Sequence, residues 1–183
     1  MSLTSKEAAE TLSDVEQAGR RSAQAFGYRK ASPHLIMWGA IWALGYSGTD
    51  QWPMYSNWIW GALLVLGCLG GVAIGRQAAI GKGGPHAWRM FALFAVILLF
   101  VCATYAIMRP TQGAQLAAYP ALLTGAVYGA VGLWFGFRYV AAGALVIALT
   151  LVGYFFLREH IFLWLAFVGG GALILAGFWF RQI

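Results

Sequence analysis

Acidic side chains are scarce in this sequence. There are six in 183 residues, and four of them (Glu7, Glu10, Asp14, Glu16) stand in its opening stretch. Beyond these lie only Asp50 and Glu159, too few for a cation channel lined by carboxylate rings. Cysteine is as sparse. Cys68 and Cys102 both fall inside apolar runs, form no CxxC pair and define no disulfide framework; buried free cysteines of this kind behave as small hydrophobes. No HExxH motif or paired-carboxylate site occurs. Neither thiol has a histidine at its own depth in the chain to serve as the general base that a nucleophile needs, so the sequence predicts no enzyme and no cofactor.

What is present is apolar: 61% of residues are hydrophobic and 10% charged, against about 45–50% and 25% in an ordinary soluble domain. Six apolar runs, at 33–48, 57–75, 90–109, 116–136, 138–157 and 161–180, approach or meet the roughly 20 residues that cross a bilayer core. The first run is short, and Trp52 and Tyr55 beyond it extend its reach to the interface. No Asp, Glu, Lys, Arg or His lies near the middle of any run. Proton coupling and voltage sensing normally rest on such groups, so both are disfavoured.

Residues 4–28 differ from the rest. Thr4 with Glu7 fits a capping box, acids fill the first half, and Arg20, Arg21, Arg29 and Lys30 fill the second half and its exit, the order that suits the helix dipole. Ala8, Leu12, Val15, Gly19, Ser22 and Phe26 share one narrow side and ask for a partner surface. The stretch lacks the apolar core of a cleavable signal, so the first span is expected to serve as its own insertion signal.

Counting Lys and Arg on alternate sides fixes an orientation. Lys6, Arg20, Arg21, Arg29, Lys30, Arg76, Lys82, Arg89, Arg138 and Arg181 fall on one side, Arg109 and Arg158 on the other. The richer side is cytoplasmic by the positive-inside rule. The expected fold is therefore an all-α integral membrane protein. Residues 1–32 form a cytoplasmic amphipathic helix, and 33–183 form a compact six-helix transmembrane bundle with both termini cytoplasmic. The minimal loops suit a bacterial inner membrane. The net charge of +6 is spread along span ends, where it meets anionic lipid, and no dense basic cluster suggests nucleic acid.

Several residues are candidates for more than topology. Gly67, Gly71 and Gly75, and Gly125 with Gly129, stand four apart; small residues at that spacing let helices approach within a chain or across a homo-oligomer seam. Trp38, Trp42 and Tyr46 make an aromatic stripe on the first run, either packed or lining a cavity. The loop GKGGPHAWR at 81–89 lacks the Ser or Thr that follows the lysine of a phosphate-binding P-loop. It reads as a topology anchor, with Lys82 and Arg89 placed to meet an anionic lipid headgroup. His34 and His86 share the cytoplasmic side, but a zinc site normally takes three or four protein ligands and the sequence offers no others nearby.

Two functional expectations follow. One is a non-enzymatic accessory, assembly or sensing component that works through residues 4–28. The other is a passive facilitator for a small neutral or apolar solute, with the aromatic stripe as its wall.

Overall fold

The computed structural model describes residues 5–78 and 86–182, without the side chains of 5–10, 20, 77–78 and 86–91. Helix α1 (Ser5–Gln51) leads through a short turn, Pro53–Tyr55, into α2 (Ser56–Ala78). Then come α3 (His86–Met108), α4 (Gly113–Phe135) and α5 (Phe137–Phe156). The last rod starts with a turn at Arg158–His160 and comprises α6 (Ile161–Trp164), a π-helical segment (Leu165–Gly169) and α7 (Gly170–Arg181). The structure is thus of the all-helical class, with no strand among the described residues. Four stretches are long and apolar enough to cross a membrane: Pro53–Arg76, Gly113–Phe135, Phe137–Phe156 and Arg158–Arg181. Ala92–Met108 is a shorter apolar stretch.

Helix α1 is not among the four, for a reason visible in its surroundings. It packs along α7 and the π segment on one side and along α2 on another. Protein rather than lipid surrounds much of it, so it carries Gly39, Gly45, Tyr46 and Thr49 where a lipid-facing helix would carry leucine. Its buried residues are Tyr28, Ser32, Leu35, Gly39, Trp42, Tyr46 and Thr49 along one seam, with Ile41 and Gly45 beside it. The seam alternates steps of four and three, the spacing that keeps side chains on one face of a helix.

The sequence suggests a helix ending near 28 and a new start at Pro33; the structure joins both into one helix through Pro33. Proline there cannot donate to the Arg29 carbonyl, a loss that often breaks a helix. The flanking residues outweigh it, because Ser32 and Leu35 are almost wholly buried against α7 and hold both sides of the proline in register.

Glycines set the close crossings. A Cβ on Gly39 would lie 2.7 Å from the Gly170 carbonyl oxygen, and one on Gly170 would lie 2.8 Å from the Gly39 carbonyl oxygen. The two backbones touch there. Gly143 meets Gly125 and Gly129 in the same manner between α5 and α4, and Gly67 seats α2 on the rings and methyls of Trp38 and Ile41 of α1. Helices dissolved in lipid gain little from hydrophobicity against one another, so such backbone contact is what joins them.

Polar side chains tie the two ends. At one end Tyr46 donates to the Ala117 carbonyl at 2.9 Å, Trp60 Nε1 donates to Thr49 Oγ1 at 3.0 Å, and Arg158 reaches Gln112. At the opposite end Ser32 donates to the Gly177 carbonyl at 2.7 Å. Helix α3 is held more thinly, by a Trp38–Phe94 ring contact, by Tyr105 donating to the Leu116 carbonyl at 2.7 Å and by Tyr119 donating to Thr104 at 3.2 Å.

Candidate functional site

The densest polar and aromatic constellation lies where α1 leaves the bundle. Tyr28 is 6% exposed and packs on Tyr139 with ring centroids 5.4 Å apart and on Phe180 at 5.0 Å. Its hydroxyl accepts the Arg138 backbone N–H at 3.3 Å. It also fills the space beside Gly136, where a side chain would collide with it. Gly136 has φ +120°, a conformation that L side chains rarely adopt, and this lets α4 turn directly into α5. The exit of α1 is therefore wedged against the α4–α5 turn.

The same exit is tied to the end of α7. Ser32 donates to the Gly177 carbonyl and accepts from Arg181 Nε at 3.0 Å. Arg138 donates to the Trp179 carbonyl near the end of α7, which also accepts the Gln182 backbone N–H at 3.3 Å. Its guanidinium carbon lies 4.7 Å from the Trp179 ring centroid and 5.7 Å from that of Tyr28, within cation–π range. One tyrosine, one serine and two arginines thus connect three parts of the chain. The arrangement can do something mechanical: turning or sliding α1 bears at once on the α4–α5 turn and on the end of α7.

Beyond the junction α1 continues outward. Residues 11–19 and 21–24 are exposed throughout, including Leu12 at 61% and Val15 at 63%, and Phe26 follows at 67%. At 3.6 residues per turn, the Leu12, Val15, Gly19, Ser22, Phe26 stripe lies about half a turn around the helix from the Tyr28–Thr49 seam. The apolar face of the projecting half points away from the surface on which the other half packs.

The remaining candidates divide. Trp42 and Tyr46 are packed in the core, at 7% and 3% exposure, edge to face at 5.7 Å, and Tyr46 meets Trp60 edge to face at 4.9 Å. Trp38 is half-buried between Gly67 and Phe94. A groove of about 460 Å³ lies between α5 and α7 and is lined by other residues. Gly67 and Gly125 sit at helix contacts, and the backbone of Gly129 meets Gly143, whereas Gly71 and Gly75 have open space around them. Lys82 lies outside the described residues, as do the side chains of Arg89 and His86. His34 Nδ1 is buried and has no hydrogen-bond partner among the described residues. Cys68 and Cys102 are free thiols. No group of three or more metal-ligating side chains occurs among the described residues.

Tyr28, Ser32, Tyr139 and Phe180 escape a reading by composition. The signal for Tyr28 is its seven-residue spacing from Leu35 and of Leu35 from Trp42, which crosses the proline that divides the sequence into a tail and a first span. No family model, curated protein or solved structure matches this chain.

Proposed function

We propose that the chain is a six-span component of a bacterial inner membrane, with both termini cytoplasmic. It acts without catalysis as an accessory, assembly or sensing protein whose projecting half of α1 holds a cytoplasmic protein partner. The observation that carries this reading is one helix with two faces: a seam packed into the bundle and, half a turn away, an exposed apolar stripe. An amphipathic helix lying flat on lipid would be separable from the span that follows it. Here the segment from Ser5 to Gly27, roughly 35 Å of helix, belongs to the same unbroken helix as the buried seam, which favours a partner standing off the membrane.

The topology draws on the charge count and on the grouping of helix ends. Residues 28–32, 138 and 177–181 gather at one end. Gln112 and Arg158 meet at the other, so successive helices run in alternating directions. Cysteines placed singly at Gln112 and Gln182 should react oppositely with a membrane-impermeant maleimide in intact cells, the first labelled and the second protected. Equal labelling at both positions would discard the proposed orientation.

Truncation through residue 28 is a poor test of the partner, because it also removes Tyr28 from the core. Leu12→Asp with Val15→Asp leaves the junction intact. Cross-linking in native membranes followed by purification should recover a discrete cytoplasmic protein with the wild type and at least about tenfold less with the double variant. Equal recovery would refute the partner role. The facilitator reading finds no support in its original feature, since Trp42 and Tyr46 are packed against protein.

A further inference from the structure

The groove between α5 and α7 is apolar along its whole lining, with a floor of small residues (Ala142, Gly171, Ala172, Ala176) and flanks that include Leu145 and Leu149. It begins at Trp179 and reaches Phe167 and Val168, about 18 Å of helix. That length suits one leaflet of a hydrocarbon core about 30 Å thick. A helix of a second copy would need a seam through both leaflets. The mouth of the groove is where Arg138 stands, its guanidinium over the Trp179 ring and one of its N–H groups on the Trp179 carbonyl. The rest of that donor fork remains for an oxyanion. Two of the described carboxylates lie elsewhere in the fold: Glu159 is beside Arg158 at the other end, and Asp50 follows Thr49 there. Arg181 adds a second positive charge at the Arg138 end.

We propose that this groove is a binding site for an anionic glycerophospholipid, with one acyl chain lying along the α5–α7 floor and the phosphate held by Arg138. The proposal depends on the membrane placement and not on the partner of α1. Trp179 sits at headgroup depth, as tryptophans at span ends do. Arg138, already fixed by the Trp179 carbonyl, offers the phosphate an oriented donor rather than a freely moving charge.

The test uses the full chain in mild detergent, titrated with equal amounts of phosphatidylglycerol and phosphatidylcholine bearing identical acyl chains, with bound lipid counted by native mass spectrometry. The wild type should retain phosphatidylglycerol about fivefold over phosphatidylcholine, the effect of one basic residue near an anionic headgroup. Arg138→Gln should bring that ratio near one, and Arg138→Lys should keep most of it. Gly171→Leu should reduce both lipids. A Cβ at Gly171 meets nothing within 4 Å, so this variant fills the groove without disturbing the helix contacts. Equal retention of the two lipids by the wild type, an undiminished ratio in Arg138→Gln, or unchanged lipid in Gly171→Leu would each overturn the proposal. So would loss of a dimer in Gly171→Leu with lipid unaffected, which would assign the groove to a second copy. If Arg138→Gln fails to fold, the wild-type ratio and Gly171→Leu still decide.

Discussion

The two halves of α1 are one helix by backbone and two different objects by side chain. From Tyr28 to Thr49 the helix carries a seam of seven residues whose members meet α7, α2 and the α4–α5 turn. From Leu12 to Phe26 it carries an apolar stripe of similar spacing, of which Leu12, Val15 and Phe26 stay exposed. Periodicity alone does not separate them. What differs is phase, about half a turn, and phase decides whether a stripe belongs to the bundle or is left to something outside it.

That contrast can be attacked from the seam outward. Gly170→Leu drives a side chain into the α1 backbone, and its cost should be the largest, at least about 3 kcal/mol for overpacking against main chain that cannot move aside. Unfolding in detergent would record it, and a stability within 1 kcal/mol of the wild type, as an approximate bound, would contradict the crossing. Tyr28→Ala should follow at about 3 kcal/mol, the usual loss for a buried aromatic, accompanied by faster protease cleavage after Lys30. Ser32→Ala gives up the bonds to Gly177 and Arg181 and should cost about 1 kcal/mol. Leu12→Asp should change stability by less than about 0.5 kcal/mol while reducing partner recovery. A stability loss comparable to that of Tyr28→Ala would erase the distinction between the halves. Phase itself can be shifted: one alanine inserted after Ala23 turns the free stripe by about 100° and should lower partner recovery, whereas seven inserted residues nearly restore the angle and should bring it back.

Much of the architecture was legible from the chain. The all-helical class and apolar stretches of spanning length agree with the sequence, because hydropathy reports directly on a solvent that cannot satisfy backbone polar groups. The continuity of α1 was not legible. Pro33 is a strong local signal, and the burial of Ser32 and Leu35 that outweighs it depends on α7, more than a hundred residues later in the chain. The roles of the glycines were partly legible. Spacing marks Gly67 and Gly125 as contact points, but cannot tell them from Gly71 and Gly75, which face open space, since all of them look alike until the neighbouring helices are in place. The aromatic stripe of Trp38, Trp42 and Tyr46 was visible as a stripe, and which side of it held protein was not. The junction around Tyr28 and Arg138 was hidden because its members come from three distant segments, each unremarkable alone.

The π-helical segment Leu165–Gly169 also has a bearing on register. Such a segment amounts to one residue inserted into an α-helix. Gly170, Gly177 and Phe180 all follow it, and all three face α1 or Tyr28. Winding the same residues as plain α-helix would rotate everything after the segment by about 100°, carrying those three residues off their neighbours, whereas removing one residue from the segment would leave them nearly in phase. The segment works as an angular offset between two correctly patterned half-rods: the residues before it address α5 through Trp164, and those after it address α1.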